Sequence, residues 1–223
     1  MKNLTTMILT AAALMTPASA GILFTYEAAG VQFTTVAGAT TETFDSKSLG
    51  AFSGASAIGT YSSGGVINSG NAWGGSNQTN HIDVGAQSGT TDYSIDFGKN
   101  IYYFGFYWGA GDAQNEVQFY QGLTKLATFK VGDIAAGLSS AYWGNPNNGQ
   151  NKGEPYVYLN FTADAGTPFN KVVFHNNGTG TGFETDSHSI YDQPINPPGV
   201  PEPSTWAMMA GAAAALVALK RRS

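Results

Sequence analysis

The chain has no cysteine, so no disulfide framework can brace it, and stability has to come from packing or from a bound ion. Cations are nearly absent as well: from Gly21 to Val200 there are 6 Lys and no Arg against 14 Asp plus Glu, a net charge near −8. Phosphate backbones are held by clustered Lys and Arg, so a nucleic-acid role is disfavoured. Histidine occurs only at His81, His175 and His188, in no His-x-x-x-His or similar spacing, which argues against a zinc enzyme. There is no Gly-x-Ser-x-Gly elbow and no Asp-x-Asp-x-Asp-Gly loop, so the local signatures of a serine hydrolase and of a calcium loop are both missing.

What is present is glycine, 29 residues of it, together with 13% aromatics in short strand-sized runs. That composition disfavours long helices and suits β-structure. Alternation is clearest from Thr91 to Phe97, where Tyr93, Ile95 and Phe97 share one face of a half-buried strand. A turn at Gly98-Lys99-Asn100 leads into Ile101 to Trp108, apolar on both faces. Val117 and Phe119, then Ala127, Phe129 and Val131, flank Gln121-Gly122 as a hairpin, and Val157, Leu159, Phe161 and Val172, Phe174 supply further inward faces. The expected fold is all-β: a two-sheet antiparallel β-sandwich of jelly-roll type. Ser48 to Gly89, rich in Gly, Ser and Asn, reads as long loops or as bulged edge strands.

Both ends carry apolar runs that a domain with its own core does not need. Lys2, the apolar Leu4 to Met15 and the small residues Ala18 and Ala20 form a secretory signal with cleavage after Ala20. At the other end Pro201, Glu202 and Pro203 open an apolar run from Trp206 to Leu219, closed by Lys220, Arg221 and Arg222. About 14 residues make roughly 21 Å of helix, short of the roughly 30 Å hydrocarbon thickness, so the run is a poor permanent anchor. The terminal cations stay in the cytoplasm by the positive-inside bias, and the Pro-Glu-Pro side faces outward. The organisation is therefore a signal peptide (1–20), a β-domain (21–192), a Pro-rich linker (193–200) and a tail (201–223) with a C-terminal hydrophobic helix.

Those three ordered elements of the tail resemble the PEP-CTERM sorting signal. The resemblance implies export, a transient stay in the inner membrane of a Gram-negative bacterium, and cutting near Pro-Glu-Pro by an exosortase, the implied partner. Tyr103-Phe104-Gly105-Phe106-Tyr107-Trp108-Gly109, with Asp112, Asn115 and Phe119-Tyr120 beyond it, is similar to a recurrent core of exosortase-dependent surface proteins, and Gly182-Phe183-Glu184-Thr185-Asp186 to their closing strand. That family carries no established enzymatic activity and is associated with exopolysaccharide and biofilm.

The expectation is thus an exported, non-enzymatic protein of the cell surface or extracellular matrix, with no catalytic residue and no cofactor. Two alternatives remain open. A carbohydrate-binding module would stack sugar rings on Trp73, Tyr103, Tyr107 and Trp143. A glycan-active hydrolase would need a carboxylate pair, with Asp112 and Glu116 the first suspects. If an ion fastens the loops it is calcium, with Asp112, Asn115, Glu116 and Asp186 as donors. Strand alternation places Glu184, Asp186 and His188 on one face, expected to be a solvated sheet edge.

Overall fold

A computed structural model describes residues 21–197. The cleavage residues Ala18 and Ala20 and the sorting residues Pro201, Glu202, Pro203, Lys220, Arg221 and Arg222 lie outside that range, as does the apolar run between them. Among the described residues no helix is long and apolar enough to cross a membrane.

The strands are β1 (Ile22–Tyr26), β2 (Thr40–Glu42), β3 (Gly50–Ala55), β4 (Thr60–Asn68), β5 (His81–Gly85) and β6 (Asp92–Ile101), then β7 (Tyr103–Gly109), β8 (Asn115–Gln121), β9 (Thr124–Lys130), β10 (Val157–Ala163), β11 (Phe169–Asn176) and β12 (Gly182–Tyr191). One short helix, α1 (Val131–Ala135), follows β9. All ladders are antiparallel, in the order β1-β10-β7-β12-β5-β4-β6-β11-β8-β9, with β2 added to β12 and β3 to β4. All-β and antiparallel is therefore what the chain forms. Where two stacked sheets of jelly-roll type were expected, the pairing gives one continuous sheet nearly closed into a barrel. The reason lies at β4 and β5, in the Gly-rich segment, which join what would otherwise be two edges.

Glycine is required there by close approach. Gly64 on β4 has φ +120°, and a Cβ on it would strike the carbonyl oxygen of Asp92, so a side chain would push the neighbouring strand away. β3 is bulged between Phe52 and Gly54. The expected turn at Gly98 is a bulge instead: β6 runs on to Ile101, Gly98 sits at φ +64°, and the β11 register slips between Phe169 and Lys171. The hairpin of β8 and β9 forms as expected, with Gln121 opposite Thr124.

The barrel interior is aromatic. Phe106 stacks on Phe161 at 6.0 Å and meets Phe174 edge-on at 5.0 Å, while Phe119 lies 4.9 Å from both Phe161 and Phe169. Across the unpaired gap between β1 and β9, Phe24 and Phe129 approach to 6.4 Å, so side chains close what the backbone leaves open. Trp108 packs in the same core and its Nε1 donates to Asn115 Oδ1 at 2.9 Å.

Candidate binding cleft

β12 carries the polar groups that the sequence singles out, and a bulge sorts them. The register against β7 shifts between Asp186 and Ser189, and Ser187 adopts φ 51°. The extra residue breaks the period of two, so Glu184 and Asp186 point out of the barrel while His188 turns into it. The expected shared face of Glu184, Asp186 and His188 therefore does not exist. Nor is it solvated, since all three are buried.

His188 stacks on Phe174 at 5.0 Å, and its nitrogens bond to the Tyr61 hydroxyl (2.8 Å) and Thr185 Oγ1 (2.9 Å). Burial holds its pKa down at about 3, so the ring is neutral. It is a core residue. On the outer side, Asp186 accepts the backbone N–H of Ser76 at 2.7 Å and of Ser187 at 2.5 Å. Burial nevertheless raises its pKa. The Ser76 contact pins residues 69–80 over the outer face of β5, β12 and β7.

Beneath that loop His81 and Asp83 share the outer face of β5, both fully buried. His81 Nε2 lies 3.2 Å from Asp83 Oδ1, outside hydrogen-bond geometry, and neither atom has another partner. Asp83 pairs directly across the ladder with Glu184, and Asn68 donates to its second oxygen.

At the edge of this covered face a cleft of about 300 Å³ opens, lined by Trp73, Gln87, Asp112, Glu154, Thr181 and Glu184. Each wall has a local cause. Trp73 is 49% exposed, but its backbone is fixed: Asn71 Oδ1 accepts its N–H at 2.8 Å, and Asn145 Nδ2 and the Tyr156 hydroxyl both donate to the carbonyl of Ala72. Glu184, 3% exposed, accepts from Gln87 Nε2 at 2.6 Å and lies where a Cβ on Gly182 would have to be. Glu154 accepts from Asn151. Asp112 and Glu184 are both held above the ordinary carboxylate range, first by burial and then by neighbouring negative charge, Glu154 for Asp112 and Asp83 for Glu184.

The expected site residues disperse. Asn115 spends its amide on Trp108, Asp112 N–H, Asn176 and Gly182, so none of it is left for an ion. Glu116 alternates with buried Asn115 to the opposite side of β8, beside Lys130 and His175, and does not join Asp112 in the cleft. Among the described residues no group of three or more His, Asp or Glu is arranged to hold a metal. Tyr103 and Tyr107 have 0% and 2% of their surface exposed and offer no ring face to a ligand. Tyr103 instead donates to Asn160 Oδ1 at 2.7 Å, and Tyr107 packs with Tyr156 and Tyr158. Of the four aromatics, Trp73 and Trp143 remain exposed, and Trp73 alone lines the cleft.

Sequence reasoning did not single out Glu154, Gln87 or Thr181. Lone polar residues in loops look like any solvated side chain. The alternation of His81 and Asp83 with Ile82 and Val84 was a readable sign that two ionisable groups share one strand face.

Residues 199–222 match the PEP-CTERM protein-sorting motif, which implies export and exosortase-dependent sorting. The chain thus carries the sorting signal of that class. No curated protein and no solved structure matches it.

Proposed function

We propose that the β-domain is a non-enzymatic surface or matrix protein that associates with extracellular polysaccharide through the Trp73 cleft. The observation that carries this reading is a half-exposed tryptophan on a pinned backbone, lining one cleft together with carboxylates, an amide and a hydroxyl. An apolar ring face packs on a pyranose, while Gln87, Thr181 and the carboxylates suit its hydroxyls. The sorting motif supports the setting, since it directs the chain out of the cytoplasm toward the surface. Aromatics of β7 and β10 pack on those of β11 and β8, and we read this as a sandwich-like scaffold that carries the cleft.

A hydrolase reading finds less support, because of its proposed pair Asp112 lines the cleft while Glu116 sits on β8 beside Lys130 and His175, outside it. Calorimetric titration of the secreted protein with polysaccharide from the producing bacterium tests the proposal. Saturable binding is expected, weakened at least about tenfold by Trp73→Ala and unaffected by Trp143→Ala, without release of reducing ends. Equal binding by wild type and Trp73→Ala would refute it.

A further inference from the structure

The cleft has a property that sugar stacking alone does not call for. Its walls carry three carboxylates, Asp112, Glu154 and Glu184, and no Lys, Arg or His. None of the three is ion-paired among the described residues, whose four ion pairs all lie elsewhere. Their hydrogen-bond donors are neutral: Gln87 on Glu184, Asn151 on Glu154 and Thr181 on Asp112. Beside Glu184 on the neighbouring strand stands Asp83, fully buried, with Oδ1 in no hydrogen bond and 3.2 Å from His81 Nε2. Three carboxyl groups are thus gathered at a partly desolvated wall where their donors are neutral, and a bound cation would favour their ionised form. In such surroundings a cation gains more than it would at an open surface.

Trp73 lines the same cleft, and an indole face is itself attractive to a cation as well as to a sugar ring. A ligand that satisfies both features has a pyranose to stack and an ammonium to place among the carboxylates. We infer that the cleft selects polysaccharide bearing free amino groups, a glucosamine-type polymer, over neutral and acidic glycans. This rests on the glycan reading above and narrows it. An acidic polymer would bring its carboxylates against Glu184 and Asp112, and like charges at short range are costly in a partly buried site. A neutral or N-acetylated polymer would leave the wall without a counter-charge.

The test uses the mature secreted protein and three probes: a glucosamine oligomer with free amines, the same oligomer fully N-acetylated, and an oligouronate. Titrations run at about pH 6, where an amine of this kind is protonated. The amine oligomer should bind at least about tenfold tighter than its acetylated twin, the oligouronate should not bind, and the preference should shrink as salt rises. Asp112→Asn, partly exposed, and Glu184→Gln, buried, should each cut the preference several-fold, by weakening the amine oligomer more than its acetylated twin. Should Glu184→Gln fail to fold, Asp112→Asn alone carries the measurement. Equal binding of the two glucosamine oligomers, both dependent on Trp73, would overturn the selectivity and leave the glycan cleft standing. No binding of the amine oligomer would also overturn the selectivity, and binding indifferent to Trp73→Ala would overturn both readings.

Discussion

Along β12 the side chains turned into the barrel, Thr185 and His188, and those turned out of it, Glu184 and Asp186, are equally sealed from water but differently served. Inside, Tyr61, His188, Thr185 and Tyr93 form a closed chain of hydrogen bonds among stacked rings. Nothing in it is left for a ligand. Outside, Asp186 is consumed by loop amides, but Glu184 is met by one neutral amide and then by the cleft. The difference teaches where binding capacity resides in a low-charge domain. Buried polar groups must be satisfied somewhere, and those that the fold satisfies only in part mark the place for a partner.

The inward half should be broken most severely by removing a ring. Phe106→Ala or Phe119→Ala is expected to cost about 3 to 5 kcal/mol, read from urea midpoints, because each ring is buried among several others. Unchanged midpoints would mean the barrel is not packed as described.

Acid titration separates the two sides by sign. The folded pKa of His188 is depressed, so the unfolded chain binds the extra proton, and stability falls as pH drops from about 6.5 toward 3, by at most roughly 1.4 kcal/mol per pH unit. Glu184 and Asp186 have raised folded values. Their contribution is fully present below the ordinary carboxylate range and is lost as pH rises through the folded values. Above the ordinary carboxylate range, as far as the raised folded values reach, the two effects oppose. Replacing His188 by Gln should leave stability that declines as pH rises there, and replacing both carboxylates by amides should leave stability that increases. The same slope in both variants would erase the distinction.

A smaller effect is expected at the loop staple. Asp186→Ala deprives the Ser76 and Ser187 amides of their acceptor and should cost about 1 to 3 kcal/mol, with faster hydrogen exchange at Ser76. Smallest of all is chelation. The dispersal of Asp112, Asn115, Glu116 and Asp186 leads us to expect essentially no change in Tm. A fall of more than about 10 °C would reveal a structural ion.

Much of the barrel was legible because its strands are plain: alternation marked β6 and the faces of β10 and β11, and Gly122 marked the β8/β9 turn. The closing strands β4 and β5 were not. Their glycines serve backbone approach, which in sequence looks the same as a loop. His188 was misplaced for a related reason. A bulge depends on the partner strand's register, and β12 alone does not reveal it. Of the cleft, Trp73 and Asp112 were visible as candidates, but Glu154 and Glu184 meet them only through strand order and loop closure.

The central claim, a polysaccharide-binding cleft on an exported domain, is tested most directly in the producing cells. Full-length protein and its Trp73→Ala variant would be expressed from the native locus and the extracellular matrix separated from the medium, with each fraction assayed for the protein. The account predicts wild type in the polysaccharide fraction and the variant, still folded and still processed, released into the medium. A variant retained in the matrix as fully as wild type would contradict it.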